Sequence, residues 1–244
     1  MSDDRRGDPP ATFEPTTRRG ATRRIDGLFA GGITLIGTAQ QRTGIVKQPR
    51  ERVSVAAEGV AGDVQADRRF HGGPDKAVHH FPADHYVRLA RQFPALAPRL
   101  GAGALGENLS TLGWTDDDIA IGDVYGAGSV ALQVTQPRSP CWKIDDRLGE
   151  PGAARWIAGQ AITGWYCRVL AAGELRVGDE LVVVERPAVP VTVATFWRTV
   201  QAHRPPVADL ERLAAIPGLA TDWRRRIEER LAWLAANPGV DSIK

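Results

Sequence analysis

Val130-Ala-Leu-Gln-Val-Thr-Gln-Pro-Arg-Ser-Pro-Cys-Trp-Lys143 is the stretch on which the fold turns. Val130 to Val134 has the short, apolar, β-branched composition of a strand. The loop after it, Gln136 to Lys143, is stiffened by Pro137 and Pro140. Strand composition recurs at Trp165–Leu170 and Glu180–Val184. Gly-Asp pairs at Gly62-Asp63, Gly122-Asp123 and Gly178-Asp179 each sit beside a short apolar run. Glycine tolerates positive φ and Asp can bond its own following backbone, so each pair predicts a turn or a strand edge. Many short strands joined by such turns define a mainly β fold, a barrel or a sandwich.

Helices interrupt and then end this pattern. Pro82 leads into Tyr86, Leu89, Ala90 and Phe93 on one face, closed by Pro94, and a second short helix is expected at Ala153–Ala158. After Pro190 the period becomes helical throughout. Val193, Phe196, Trp197 and Val200 share a face, as do Leu210, Leu213 and Ala214, then Trp223, Ile227, Leu231 and Leu234. Pro205-Pro206 and Pro217-Gly218 separate the three segments. The organisation expected is a polar disordered tail over 1–27, a β domain over 28–187 and a three-helix unit over 188–244. The tail carries almost no large apolar side chain with which to offset ordering entropy.

The 244 residues include 31 basic and 29 acidic ones, a net charge of +2, which supplies no strong field for nucleic acid or an anionic membrane. No apolar run is long enough to span a bilayer, and the N-terminal residues have no apolar core of a secretory signal. Two cysteines are too few for a disulfide framework, and the cytoplasm is the expected compartment.

Three stretches hold the polar chemistry. The first runs from Gly62 to Ala77 and contains Arg68, Arg69, His71, Gly72, Gly73 and Lys76. It reads either as an anion-binding nest of backbone N–H groups or as an ordinary turn beside a solvated charge run. The second, Gly101 to Gly106, spells GxGxxG, but prolines precede it and Glu107-Asn108-Leu109 follows where a helix is required, so it is no dinucleotide site. The third is the loop of Cys141. A thiol on a stiff loop between Arg138 and Lys143 should ionise readily and suit a soft metal; the alternative is a small buried hydrophobe. Cys167 lies mid-strand and is read as core packing. His79 and His80 fall on a probable strand that sends them to opposite faces, and both, with His85, are read as structural; His71, beside the glycines, is the exception.

Taken together, RRFHGGPDKAVHHFPADHY (68–86), GENLS (106–110) and QPRSPCWK (136–143) resemble the MOSC family, named for the C-terminal domain of molybdenum cofactor sulfurases. They are most similar to its YiiM-like branch, linked to N-hydroxylaminopurine resistance, whose C-terminal three-helix domain the last segments also resemble. The match covers about Gly31 to Val184 and is weakest over residues 40–52 and the first 27. The resemblance implies a distorted β barrel binding a molybdopterin form of the molybdenum cofactor, with Cys141 as metal ligand. Arg68, His71, Gly72, Gly73, Lys76, Asn108, Arg138 and Ser139 would bind the cofactor, and Cys141 and His71 would be catalytic. The activity implied is reduction of N-hydroxylated substrates such as N-hydroxylated purines. The chain has no cysteine set for an iron–sulfur cluster and no nucleotide fingerprint, so electrons are expected from a partner, a flavin-type reductase. The rival readings are a carrier of the cofactor or of sulfur, and a Cys141–His71 hydrolase or transferase lacking an evident acidic partner. The helical unit is expected to dock the electron donor or to cap the barrel, with Arg224-Arg225-Arg226 as a solvated face.

Overall fold

The computed structural model describes residues 21–66 and 72–237. Its strands in chain order are β1 (Thr22–Ala30), β2 (Thr34–Ile36), β3 (Gln41–Thr43), β4 (Gln48–Arg50), β5 (Arg52–Ala56), β6 (Gly59–Val60), β7 (Val78–His80), β8 (Leu109–Thr111), β9 (Val124–Ala127), β10 (Val130–Pro137), β11 (Trp165–Ala171), β12 (Gly173–Arg176) and β13 (Glu180–Glu185). Seven of them close into a ring, β13-β9-β10-β11-β7-β8-β1, sealed by β1 pairing with β13; β4 adds to the free stretch of β1. The pairs are antiparallel except β7 with β8, where His80 lies opposite Leu109. Closure removes the exposed edges that an open sheet of short strands would present.

β1 makes the closure possible. Its first residues pair with β13, its middle with β8 and its last with β4. A register shift between Ile25 and Gly27 bends the strand from one partner to the next. The described strand structure begins at Thr22, ahead of the expected Leu28, because Thr22, Arg23 and Arg24 pair with β13 although two of them are charged. Residues 1–20 lie outside the described residues.

All three Gly-Asp glycines have positive φ, at 78°, 91° and 91°. The Asp side chains do not bond forward as expected. Asp123 and Asp179 accept from the amides of Ala120 and Arg176, three residues back, at 2.9 and 2.8 Å. Asp63 instead reaches the Gly31 amide at 3.1 Å and Lys47 Nζ at 2.7 Å.

Inside the ring pack Ile25, Trp114, Tyr125, Trp165 and Leu181, all at 1% exposure or less. The expected helix is present as α1 (Asp84–Gln92), and α2 (Lys143–Leu148) and α3 (Ala153–Gly159) join it on one side of the barrel. There Phe81, Leu89, Ile144 and Ile157 form a second core. The C-terminal unit comprises α4 (Val193–Gln201), α5 (Val207–Ala214) and α6 (Thr221–Ala236). Its buried faces, Phe196, Leu210, Leu213, Ile227 and Leu234, belong to the same apolar cluster as the barrel interior. Backbone bonds tie it down as well: Ile121 N–H donates to Val191 O at 3.0 Å and Ala220 N–H to Thr135 O at 3.0 Å. Among the described residues no helix is long and apolar enough to cross a membrane.

Candidate functional site

β10 runs out of the barrel at Pro137 and delivers Arg138, then Ser139, Pro140 and Cys141, to the rim. Arg138 N–H donates to Gly164 O at 3.0 Å, and Ile144 N–H donates to Cys141 O at 2.9 Å, so both ends of the loop are pinned. A cavity of about 590 Å³, its mouth included, opens beside it. Cys141, Arg138, Lys143, His79, Asn108 and Lys47 share its wall with loop segments 43–45, 63–66 and 105–106.

Those loops meet through glycine. A Cβ on Gly44 would lie 2.2 Å from Val64 O, and one on Gly106, whose φ is +80°, would lie 2.7 Å from Ile45 Cγ1. Only bare backbone lets the segments close the wall. Glu107 then organises the turn from within. It is fully buried and accepts from Tyr86 Oη at 2.7 Å, Gly103 N at 2.5 Å and Leu105 N at 3.3 Å. Burial raises its pKa, and these donors oppose the rise. The GxGxxG letters thus encode a loop wrapped round a carboxyl group, with no strand–turn–helix.

The wall is electropositive and incompletely paired. Arg138 is 6% exposed, and its buried Nη1 has no hydrogen-bond partner among the described residues. The guanidinium lies beside the Tyr166 hydroxyl, whose pKa burial raises and Arg138 partly pulls back. Lys47, buried, pairs with Asp63; burial lowers its pKa and Asp63 opposes that shift. His79 is held neutral, first by burial and then by the Arg138 and Lys47 charges. The Gly106 backbone opposes that effect, and among the described residues His79 Nε2 has no hydrogen-bond partner. A neutral imidazole has one donor and one acceptor nitrogen, so Nε2 can meet a ligand in either role. Among the described residues, one cavity therefore holds an open guanidinium nitrogen, an open imidazole nitrogen and a thiol.

The expected site residues divide accordingly. Cys141, Arg138, Lys76 and Asn108 come together on the first cavity. Asn108, however, has its amide engaged: Oδ1 accepts from His79 N at 3.0 Å and Nδ2 donates to Phe29 O at 3.2 Å. It clamps β1 to β7 and shapes the wall. Ser139 is exposed and faces a neighbouring cavity that also reaches Cys141. Gly73, at φ 94°, starts the turn Pro74–Lys76, and no atom approaches its Cβ position, so backbone conformation alone demands glycine there. Neither Gly72 nor Gly73 borders the first cavity. Arg68 and His71 lie outside the described residues. Cys167 is fully buried in the core, as expected, and burial raises its thiol pKa.

His79 corrects its structural reading, because it faces the cavity with an open nitrogen. The strand parity of Val78–His80 already required one of the two histidines to leave the barrel interior. Lys47, Asp63, Tyr166 and Glu107 are not among the site residues expected from sequence; they come from four separate segments that the fold brings together.

Among the described residues no cluster of three His, Cys, Asp or Glu side chains stands ready for a metal ion. Cys141 offers a single thiolate, so the remaining ligands of a metal held there must come with a bound group. The chemistry of the wall fits such a group when it is anionic: Arg138 Nη1 needs an acceptor, and His79 Nε2 needs a polar partner. Molybdopterin carries a phosphate, ring N–H donors and its own sulfur ligands, and these residues match it.

The MOSC domain profile matches residues 67–182. The profile described as "YiiM-like, 3-alpha helix domain" matches 200–232. Protein YiiM of Escherichia coli K12 is 36% identical over 176 residues, which is 70% of this chain and 76% of that protein. A protein named "Reductase" from Gibberella moniliformis is 35% identical over 184 residues, but the match spans only 31% of it. The crystal structure of YiiM from Geobacillus stearothermophilus superposes with a TM-score of 0.73 at 31% identity, covering 86% of this chain and 99% of that one. The chain belongs to the YiiM-like branch of the MOSC family.

Proposed function

We propose that this protein is a cytoplasmic oxidoreductase that holds a molybdenum cofactor in the first cavity and reduces N-hydroxylated substrates, N-hydroxylated purines among them. The observation that carries this reading is the meeting, in one cavity, of the Cys141 thiol and Arg138 Nη1, which has no hydrogen-bond partner among the described residues. The name of the Gibberella moniliformis relative supports a reductive role. Both cysteines are free thiols, in keeping with a reducing compartment.

When bound, the cofactor supplies two-electron redox chemistry at molybdenum. The protein's share is positioning. Cys141 provides the thiolate, Arg138 the charge-assisted donor for the phosphate, and Lys143 further positive charge. His79 Nε2 accepts from a ring N–H or takes part in proton handling. The overall step is R–NHOH + 2 e⁻ + 2 H⁺ → R–NH₂ + H₂O, in which the N–O bond breaks and oxygen leaves as water. A flavin-type reductase supplies the electrons.

The test is molybdenum and pterin content in wild type and Cys141→Ser, both purified from a cofactor-producing host. Near-stoichiometric metal and pterin in wild type, with metal lost from the variant, is the expected outcome. Loaded protein that fails to reduce an N-hydroxylated base when a flavin reductase is added would instead identify a cofactor carrier. Wild type devoid of both, from a host that loads another molybdoprotein, would remove the assignment.

A further inference from the structure

β10 carries a bulge just before the loop of Cys141: Val134 lies opposite Cys167 but Gln136 opposite Tyr166, so Thr135 is the extra residue. That residue acts as a clamp. Its carbonyl accepts from Ala220 N at 3.0 Å, and its hydroxyl donates to Asp75 O at 2.6 Å. The Asp75 side chain accepts from Thr221 N at 3.1 Å with one oxygen and from Arg168 at 2.6 Å with the other. The start of α6 is thereby fixed against the barrel, just ahead of Trp223.

Between the bulge and α6 lies a second cavity of about 670 Å³, mouth included, and Cys141 and Tyr166 line it as well as the first. Gln136, 3% exposed, brings an amide to its wall on the rigid end of β10. Trp223, half-buried, brings an indole ring from α6, and Pro140 adds apolar surface beside it. The ring is held in place: Phe196 and Trp197 of α4 meet it edge-to-face, with ring centres 5.4 and 6.5 Å away. Arg226, exposed, stands 5.6 Å from the ring centre, where a guanidinium plane can close over a flat molecule or yield its place. An aromatic face beside an amide suits a planar nitrogen heterocycle. Stacking acts on the face without regard to net charge, and the amide reads donors and acceptors along the edge. A saturated ring of similar size gains no stacking.

We infer that the second cavity holds a flat, uncharged nitrogen heterocycle beside Cys141, with Trp223 stacked on its face and Gln136 bonded to its edge. The inference rests on the function proposed above for Cys141 as the reacting centre. It gives the three-helix unit a part in substrate choice that neither docking an electron donor nor capping the barrel would require.

The test needs neither cofactor nor turnover. Iodoacetamide alkylates Cys141 in the cofactor-free full chain, and free purine, uncharged at neutral pH, is the probe that should shield it. Cys167 is fully buried, so its labelling reports unfolding in any variant. Purine is expected to slow alkylation of Cys141 saturably in wild type, and cyclohexanol at the same concentrations to leave the rate unchanged. Trp223→Leu should raise the half-protecting purine concentration about tenfold, and Trp223→Phe by no more than about threefold. Gln136→Met, which keeps the length and loses the amide, should raise it about threefold. Three results would each overturn the inference: no protection by purine in wild type, equal protection by cyclohexanol, or an unchanged half-protecting concentration in Trp223→Leu with Cys167 unlabelled. Protection that depends on Trp223, in protein that takes up no pterin, leaves the heterocycle site standing and removes only the cofactor. Pterin uptake without purine protection does the reverse.

Discussion

His79 and His80 are neighbours on one three-residue strand and face opposite worlds. His80 turns into the barrel, where its Nε2 meets Thr111 Oγ1 at 2.9 Å and its ring centre lies 4.5 Å from Trp165 and 6.1 Å from Tyr125. His79 turns outward to the cavity, packs 5.1 Å from Tyr166 and keeps Nε2 open beside an equally open Arg138. Both rings are buried, and among the described residues both faces hold polar atoms without a hydrogen-bond partner: His80 Nδ1, Trp114 Nε1, Tyr125 Oη and Trp165 Nε1 inside, His79 Nε2 and Arg138 Nη1 outside. The difference is access: the inner atoms are sealed among packed rings, whereas His79 and Arg138 line a cavity that a ligand can enter. Unmet buried polarity is costly in either place, and only on the outer face can a ligand relieve it.

Trp165→Ala should show the contrast most strongly. The side chain is fully buried in the ring, and the cavity left behind should cost about 3–5 kcal/mol in urea unfolding. Cys141→Ala, at the half-exposed rim, should cost under about 1 kcal/mol in the same measurement. Equal losses would mean that the rim is structural after all. Arg138→Met sharpens the point by splitting the two roles. Deleting a buried, incompletely paired guanidinium should raise the stability of the cofactor-free protein by about 1–2 kcal/mol. The same change should weaken pterin retention by about tenfold or more, through loss of a charge-assisted bond.

Acid provides the next effect. Burial lowers the His80 pKa to about 3, against an unfolded value near 6.5. Between those values the unfolded state binds a proton that the native ring refuses, so stability falls as pH drops below 6.5 and the loss levels off only near 3. At pH 5 this amounts to about 2 kcal/mol. His79, also held neutral, adds to the slope in the same direction. In unfolding curves from pH 7 to pH 5, His80→Gln should be less stable at pH 7 but flatter with pH. A slope unchanged by that substitution would show that His80 is protonated in the native state.

What sequence made legible follows the same division. Strands built from contiguous β-branched runs, such as Val130–Val134 and Glu180–Val184, could be read directly, and so could the three amphipathic helices, since each carries its period locally. β9 was passed over because Gly126 dilutes its pattern, and β4 because Pro49 sits within it. Cys141 and Arg138 were visible as one rigid loop. Lys47 was not: it lies in the region of weakest resemblance, and its importance comes from a partner, Asp63, sixteen residues away across a glycine contact. Local chemistry can be read from letters, whereas a wall assembled from four segments needs the ring to close first.

The smallest effects concern the run Arg224-Arg225-Arg226, expected as one solvated face and found to be three different environments. Arg224 is partly buried and donates to the carbonyls of Ala214 and Ile216, stitching α6 to the end of α5. Arg226 borders the second cavity. Arg225 and Arg226 are exposed as expected, and Arg225 pairs with Glu229 at 2.7 Å across one helical turn. Removing Arg224 strands two carbonyl groups near the helix end, so Arg224→Ala should cost about 1–2 kcal/mol in thermal or urea unfolding. Arg225→Ala removes an exposed i,i+4 pair and should cost no more than about 0.5 kcal/mol, with less than that at high salt. If the two substitutions prove equal, the carbonyls of Ala214 and Ile216 are satisfied by water, and the tie between α5 and α6 is apolar alone, carried by Leu210, Leu213 and Ile227.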